Sequence, residues 1–210
     1  MKVLITQANR SEDIELLKNQ LSKCDCDLVL FPEGYISNES LLEDCCKLAN
    51  DYKVPIISSY LDNKARKDVA VVIDELGNRV LHRRKSSVEG PLLEPTKVIV
   101  NNINIGYMLC CEIFLDNIDF NDVEMIFNPI GAGMFSDDQF TEWSNRAKTI
   151  AQRYNCHVLG VSHADGSYRN CGVSIPIAFV YASDGRQVYL SKADTRSVII
   201  DLTSNKVEYI

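Results

Sequence analysis

The chain has 210 residues, of which 46% are apolar, 24% charged and 8% aromatic, and its formal net charge is −7. A chain of this length buries about 70% of its unfolded surface, enough for one core without covalent staples, and its apolar fraction excludes disorder as the main state. The acidic balance argues against nucleic acid or another polyanion as partner. No apolar run approaches the ~18 residues of a membrane-spanning helix, and the three apolar residues before Thr6 are too few for a signal-peptide core. The expectation is a cytoplasmic protein with no membrane contact.

Strands and helices alternate along the chain. Residues 2–8 read as an apolar strand, followed by a helix over 12–22 with Ser11 as cap and Leu16, Leu17 and Leu21 at helical spacing. A buried strand over 27–31 ends at Pro32. Asn38 caps a helix over 39–52, and a third strand covers 54–60. Strands at 69–74 and 79–85 flank Gly77-Asn78 as a hairpin. A polar connector over 86–97 leads to strands at 98–100 and 103–110. A short strand at 124–128 and a Gly-rich loop precede a long helix from Ser136 to about Tyr154. Strands at 157–162, 173–182, 187–190 and 197–202 complete the chain. This order predicts one α/β domain over 1–210 with mixed sheets and no linker. Strand, helix and strand at 1–60 recur weakly at 124–162.

Eight cysteines stand at 24, 26, 45, 46, 110, 111, 156 and 171. Without a secretory leader they read as reduced thiols. Their CxC and CC spacings are not those of a zinc site, and the histidines at 82, 157 and 163 are scattered. Cys45 and Cys46 lie mid-helix, where one of them serves as a small core residue. Neither a metal nor another cofactor is called for.

Three reactive side chains each sit just past a buried strand, where α/β folds build sites. Glu33 follows LVLFP, Lys85 follows RVLHRR, and Cys110 ends INIGYML. Brought together, a carboxylate can take a thiol proton, an ammonium can hold an oxyanion, and a thiolate can attack a carbonyl. Taken singly, Glu33 reads as a solvated turn residue, Lys85 as a strand-end charge and Cys110 as a core thiol.

Together the three segments resemble the nitrilase superfamily, the carbon–nitrogen hydrolases. FPEGY at 31–35, RRK at 83–85 and IGYMLCCEIF at 105–114 stand in the family's order. Glu94-Pro95, FNPIGAG at 127–133, the stretch over 145–166, CGVS at 171–174 and the Asp184-Gly185 turn extend the likeness over nearly the whole chain. The resemblance implies a four-layer α-β-β-α sandwich, with Glu33 as general base, Lys85 as oxyanion stabiliser and Cys110 as nucleophile. Cys110 fits better than Cys111, because apolar–Cys–aromatic–acid then maps onto Leu109-Cys110-Cys111-Glu112. It also implies a second carboxylate beyond the lysine. Glu89, in Val-Glu-Gly, is the first candidate and Glu94 the second.

The implied function is thiol-dependent hydrolysis of a small amide or carbamoyl compound. Nitrile hydrolysis, N-acyl transfer and an inactive binding homologue are the alternatives. The implied partner is the small amide or nitrile itself. The resemblance further implies a homodimer, for which the apolar Ile113-Phe114-Leu115 face is a candidate surface. The chain departs from the family in its shortness, its compact connector between Lys85 and Cys110, and the absence of the arginine common shortly after the cysteine.

Overall fold

Within each buried strand, alternate side chains feed two different cores. In β1 (Lys2–Ile5), Val3 and Ile5 point one way and Leu4 the other, and all three are fully buried. The computed structural model describes residues 1–116, 118–165 and 172–210. After β1 come α1 (Glu15–Lys23), β2 (Leu28–Leu30), α2 (Leu42–Tyr52), β3 (Ile56–Asp62), β4 (Lys67–Ile73) and β5 (Arg79–Arg84). Then follow β6 (Lys97–Val100), β7 (Ile103–Tyr107), β8 (Met125–Pro129), α3 (Asp137–Tyr154) and β9 (His157–Val161). β10 (Ile177–Tyr181), β11 (Gln187–Lys192), β12 (Val198–Asp201) and β13 (Lys206–Tyr209) close the fold.

The strands form a seven-stranded sheet, β13-β12-β1-β2-β3-β4-β5, and a six-stranded sheet, β11-β10-β9-β8-β7-β6. β1, β2 and β3 pair in parallel through α1 and α2, and β8 pairs in parallel with β9 through α3. The strand-helix-strand echo in the sequence is therefore real, with one copy in each sheet. Val3, Ile5, Leu30 and Val72 meet Ile105, Tyr107, Phe127 and Leu159 between the sheets. Leu4, Val29 and Val71 pack on Leu17, Leu21 and Ala49 of the helices outside the first sheet. Ile126, Val158 and Phe179 pack on Trp143, Ala147 and Ile150 of α3. The result is a four-layer α-β-β-α sandwich in a single domain. Each fully buried aliphatic or aromatic side chain contributes about 1.5–3 kcal/mol.

Several local expectations need correction. α1 starts at Glu15, not at residue 12, because the Asp13 carboxylate accepts the Glu15 N–H at 3.1 Å while Ser11 bonds to Asp13 instead of capping. Asn38 does cap, accepting from the Ser40 N–H, but it opens a 3-10 turn that runs into α2. β7 stops at Tyr107, three residues before Cys110. β10 begins at Ile177, not at 173. β13 was not anticipated, because KVEY is largely solvent-facing on a sheet edge and lacks a buried alternation. Ile113 and Leu115 are buried, and Phe114 packs edge-on against Trp143 at 4.9 Å. Ile113 and Leu115 are thus core residues, and Phe114 of that face stays half-buried. Cys45 is the buried member of its pair, and Cys171 lies outside the described residues. Among the described residues, no helix is long and apolar enough to cross a membrane.

Candidate active site

At the C-terminal end of β2 the chain runs through Pro32 into Glu33 and reverses at Gly34, whose φ of 70° favours a residue without Cβ. Gly34 N–H donates to Ser59 Oγ at 2.6 Å and Glu33 N–H to the Ile130 carbonyl at 3.2 Å, so the turn is tied to both sheets. A ring nitrogen of His163 lies 2.8 Å from the Glu33 carbonyl oxygen. These contacts hold the Glu33 side chain inside the fold with 1% of its surface exposed.

Lys85 is the first residue past β5. Its N–H donates to the Asp68 carbonyl at 2.8 Å, and its ammonium donates to Glu33 Oε1 at 2.6 Å. The third side chain comes from the other sheet. Beyond β7 the backbone leaves the strand, and Cys110 opens a 3-10 turn, Cys110–Phe114, at a φ of 54°. A left-handed conformation costs a non-glycine residue about 1–2 kcal/mol and persists only when its surroundings enforce it. Asn128 enforces it from β8, donating to the carbonyls of Met108 and Cys110 at 2.9 and 3.0 Å. Trp143 in turn donates its indole N–H to Asn128 Oδ1 at 3.3 Å.

A buried clamp joins the lysine and cysteine segments. Arg83 makes two bonds to the Glu112 carboxylate, at 2.8 and 2.7 Å. The same carboxylate accepts the N–H groups of Ser86 and Leu109, each at 2.6 Å. One residue thereby fixes the positions just after Lys85 and just before Cys110. Burial works to raise the Glu112 proton affinity, but Arg83 and the two N–H groups outweigh it and hold the carboxyl below its ordinary value.

Glu33 goes the other way. Burial, and then the neighbouring Cys110 sulfur, push its carboxyl well above the ordinary value, and Lys85 only partly opposes them. Burial works against the Lys85 charge, but Glu33 and both thiols outweigh it and keep the ammonium charged. Cys110 is held as a thiol by its hydrogen bond to Cys111 and by burial, with Lys85 and the Gly131 N–H pulling the other way. Cys111 accepts that bond and falls to about 7. Each of these two groups therefore holds a proton more tightly here than it would in water.

Of the residues singled out in the sequence, Glu33, Lys85 and Cys110 come together. Glu89 does not join them. The Ser87–Gly90 turn, closed by Gly90 N–H on the Ser87 carbonyl, leaves Glu89 exposed on a cleft of about 380 Å³ with Leu92, Phe114 and Asp116. Glu94 is exposed too and accepts the Thr96 N–H at 2.8 Å. No hydrogen bond or ion pair links either of them to the three residues. Arg83 and Asn128 were missed in the sequence, since their partners lie 29 and 18–20 residues away with no local pattern to mark the pairing. Glu112 was visible only as the acid of the cysteine segment.

The two-sheet sandwich is an architecture shared with known solved structures. A carbon–nitrogen hydrolase from Helicobacter pylori G27 superposes with a TM-score of 0.75 at 15% identity, over 98% of this chain and 90% of that one. Nit3 of Saccharomyces cerevisiae, a member of branch 10 of the nitrilase superfamily, gives 0.74 at 16% identity, over 96% and 89%. A variant of the amidase from Nesterenkonia sp. AN1, carrying the acetamide moiety of fluoroacetamide on its active-site cysteine, gives 0.74 at 13%, over 96% and 90%. The chain therefore has the fold of the nitrilase-superfamily carbon–nitrogen hydrolases. No protein-family model and no curated protein sequence matches it.

Proposed function

We propose that the protein is a thiol-dependent hydrolase that cleaves a non-peptide C–N bond of a small amide or carbamoyl compound. The observation that carries this reading is that Glu33, Lys85 and Cys110, from the segments that follow β2, β5 and β7, are neighbours in the fold. Glu33 accepts the Cys110 proton as the sulfur attacks the substrate carbonyl. Lys85 and the Cys111 backbone N–H stabilise the oxyanion, and one such donor is worth about 3–4 kcal/mol. Glu33, now protonated, gives its proton to the leaving amine. Water activated by the same carboxylate then hydrolyses the thioester. The raised proton affinity of Glu33 suits both directions of transfer. The cycle draws on these side chains alone, with the substrate as the only small-molecule partner. The amidase and carbon–nitrogen hydrolase neighbours support this chemistry over a binding role. A cytoplasmic homodimer completes the proposal.

The test is ammonia release from a panel of primary amides, ureas and nitriles. Release from amides or ureas and not from nitriles is expected. Release from nitriles alone would replace the reading with nitrilase activity, and silence across the panel would remove it.

A further inference from the structure

A trans peptide unit is planar, so its C=O and N–H point in opposite directions and a grip on one aims the other. The unit between Cys110 and Cys111 is gripped at its carbonyl, where Asn128 Nδ2 donates to the Cys110 oxygen at 3.0 Å. The same nitrogen donates to the Met108 oxygen at 2.9 Å. The Met108–Leu109 unit is held at both ends, because the Leu109 N–H donates to Glu112 Oε2 at 2.6 Å. The Cys110–Cys111 unit is different. Among the described residues, no main-chain or side-chain acceptor takes the Cys111 N–H. Asn128 is itself fixed. It lies on β8, fully buried, and its Oδ1 accepts the Trp143 indole N–H at 3.3 Å. Two carbonyls that need donors and one indole that needs an acceptor leave the amide a single way round. Cys110 stands at a φ of 54°, so releasing its carbonyl would let the backbone relax toward the commoner negative-φ regions and rotate that peptide unit.

We infer that Asn128 is a positioning residue for the oxyanion, aiming the Cys111 N–H through the Cys110 carbonyl, with Trp143 setting which way round its amide lies. The inference rests on the hydrolase reading above. The two oxyanion donors then depend on different sheets: Lys85 follows β5, and the Cys111 N–H belongs to a peptide unit tied to β8. Such a donor matters when negative charge develops on a carbonyl oxygen. A reaction of the Cys110 sulfur that passes through no tetrahedral carbonyl adduct does not call on it. Loss of Asn128 should therefore separate the two kinds of reaction.

The experiment compares two reactions of Cys110 in the unsubstituted protein, Asn128→Leu and Trp143→Phe. One is ammonia release from the best amide or urea substrate, giving kcat and KM. The other is modification by methyl methanethiosulfonate, which has no carbonyl. The thiolate sulfur bonds to the methylthio sulfur, methanesulfinate leaves, and fragment mass locates the adduct. Leucine matches asparagine in size and donates nothing. In Asn128→Leu, kcat should fall about a hundredfold, the effect of misplacing one donor by ~1 Å, while KM and the Cys110 methylthiolation rate stay within about threefold. Trp143→Phe leaves the amide free to turn and should lower kcat about three- to tenfold with the same split. A merely structural Asn128 would lower the thermal midpoint and leave the ratio of the two rates unmoved. A folded Asn128→Leu that keeps more than about a tenth of kcat, or loses both rates in parallel, overturns the inference and leaves the hydrolase reading intact. Should Asn128→Leu fail to fold, Trp143→Phe decides: a lowered ratio of turnover to methylthiolation supports the inference and an unmoved ratio overturns it. If the unsubstituted protein releases no ammonia from any amide or urea, the hydrolase reading fails and the inference falls with it.

Discussion

Two buried carboxylate–cation pairs hang from neighbouring positions on one strand end, yet their proton chemistry is opposite. Arg83 with Glu112 and Lys85 with Glu33 are 2.7 and 2.6 Å apart, and both carboxylates are almost fully buried. Glu112 receives a two-pronged guanidinium and two backbone N–H groups, so its charged form is fully solvated by protein. Among the described residues, only Lys85 donates to the Glu33 carboxylate, and Glu33 also faces a thiol. The number of donors, not burial, separates a static clamp from a carboxyl that can trade a proton.

Neutralising the reactive pair gives the largest expected effect. Glu33→Gln keeps the shape and removes the proton acceptor, so kcat should fall about a thousandfold, or ~4 kcal/mol of barrier. The thermal midpoint should stay within a few degrees. A variant retaining a tenth of the activity would end the distinction between the pairs from the catalytic side.

The same substitution in the clamp should act on stability. Glu112→Gln strands the Arg83 charge in the interior, which costs about 3–5 kcal/mol, or roughly 10 °C in midpoint for a chain of this size. The sign with pH follows from the lowered proton affinity of Glu112. Its contribution is present above the ordinary carboxylate value and is lost as pH falls through the lowered one. The midpoint gap between the unsubstituted protein and Glu112→Gln should therefore be full near neutrality and close below about pH 4. Calorimetry across that range checks this. A gap that widens in acid would contradict it.

Activity should show the opposite signature. Because Glu33 is raised, the acid limb of kcat/KM should lie above the ordinary glutamate range of about 4.3. A limb at or below that value would mean that Glu33 is as well solvated as Glu112.

The smallest effects are expected at the neighbours. Cys111→Ser should leave kcat within a few-fold and abolish the thiol that titrates at about 7, which ultraviolet thiolate absorbance can follow. Glu89→Gln should change kcat less than about twofold, since its carboxylate is exposed and joined to none of the three reactive residues. A large loss at Glu89 would require the 86–95 connector to fold over the site during turnover.

These two pairs also mark how far the sequence could be read. Glu33, Lys85 and Cys110 were legible because each follows a predicted strand, a local signal, and because their three segments together resemble one family's pattern. The helices and most strands were legible for the same reason. The clamp was not, since Arg83 reaches Glu112 across 29 residues and between two sheets. Cys110 reads as the end of β7, but the Glu112 and Asn128 bonds pull the chain out of the strand three residues earlier. Glu89 looked suitable because of its local setting, and the direction in which its turn faces is a tertiary property.

The central claim is that Cys110 carries the acyl group. Intact mass with fragment mapping, on unsubstituted protein quenched in acid during turnover of a slow primary amide, tests it most directly. An adduct of the acyl mass on Cys110, absent in Cys110→Ala, is predicted. Ammonia release with no adduct, or an adduct on Cys111, would contradict the account.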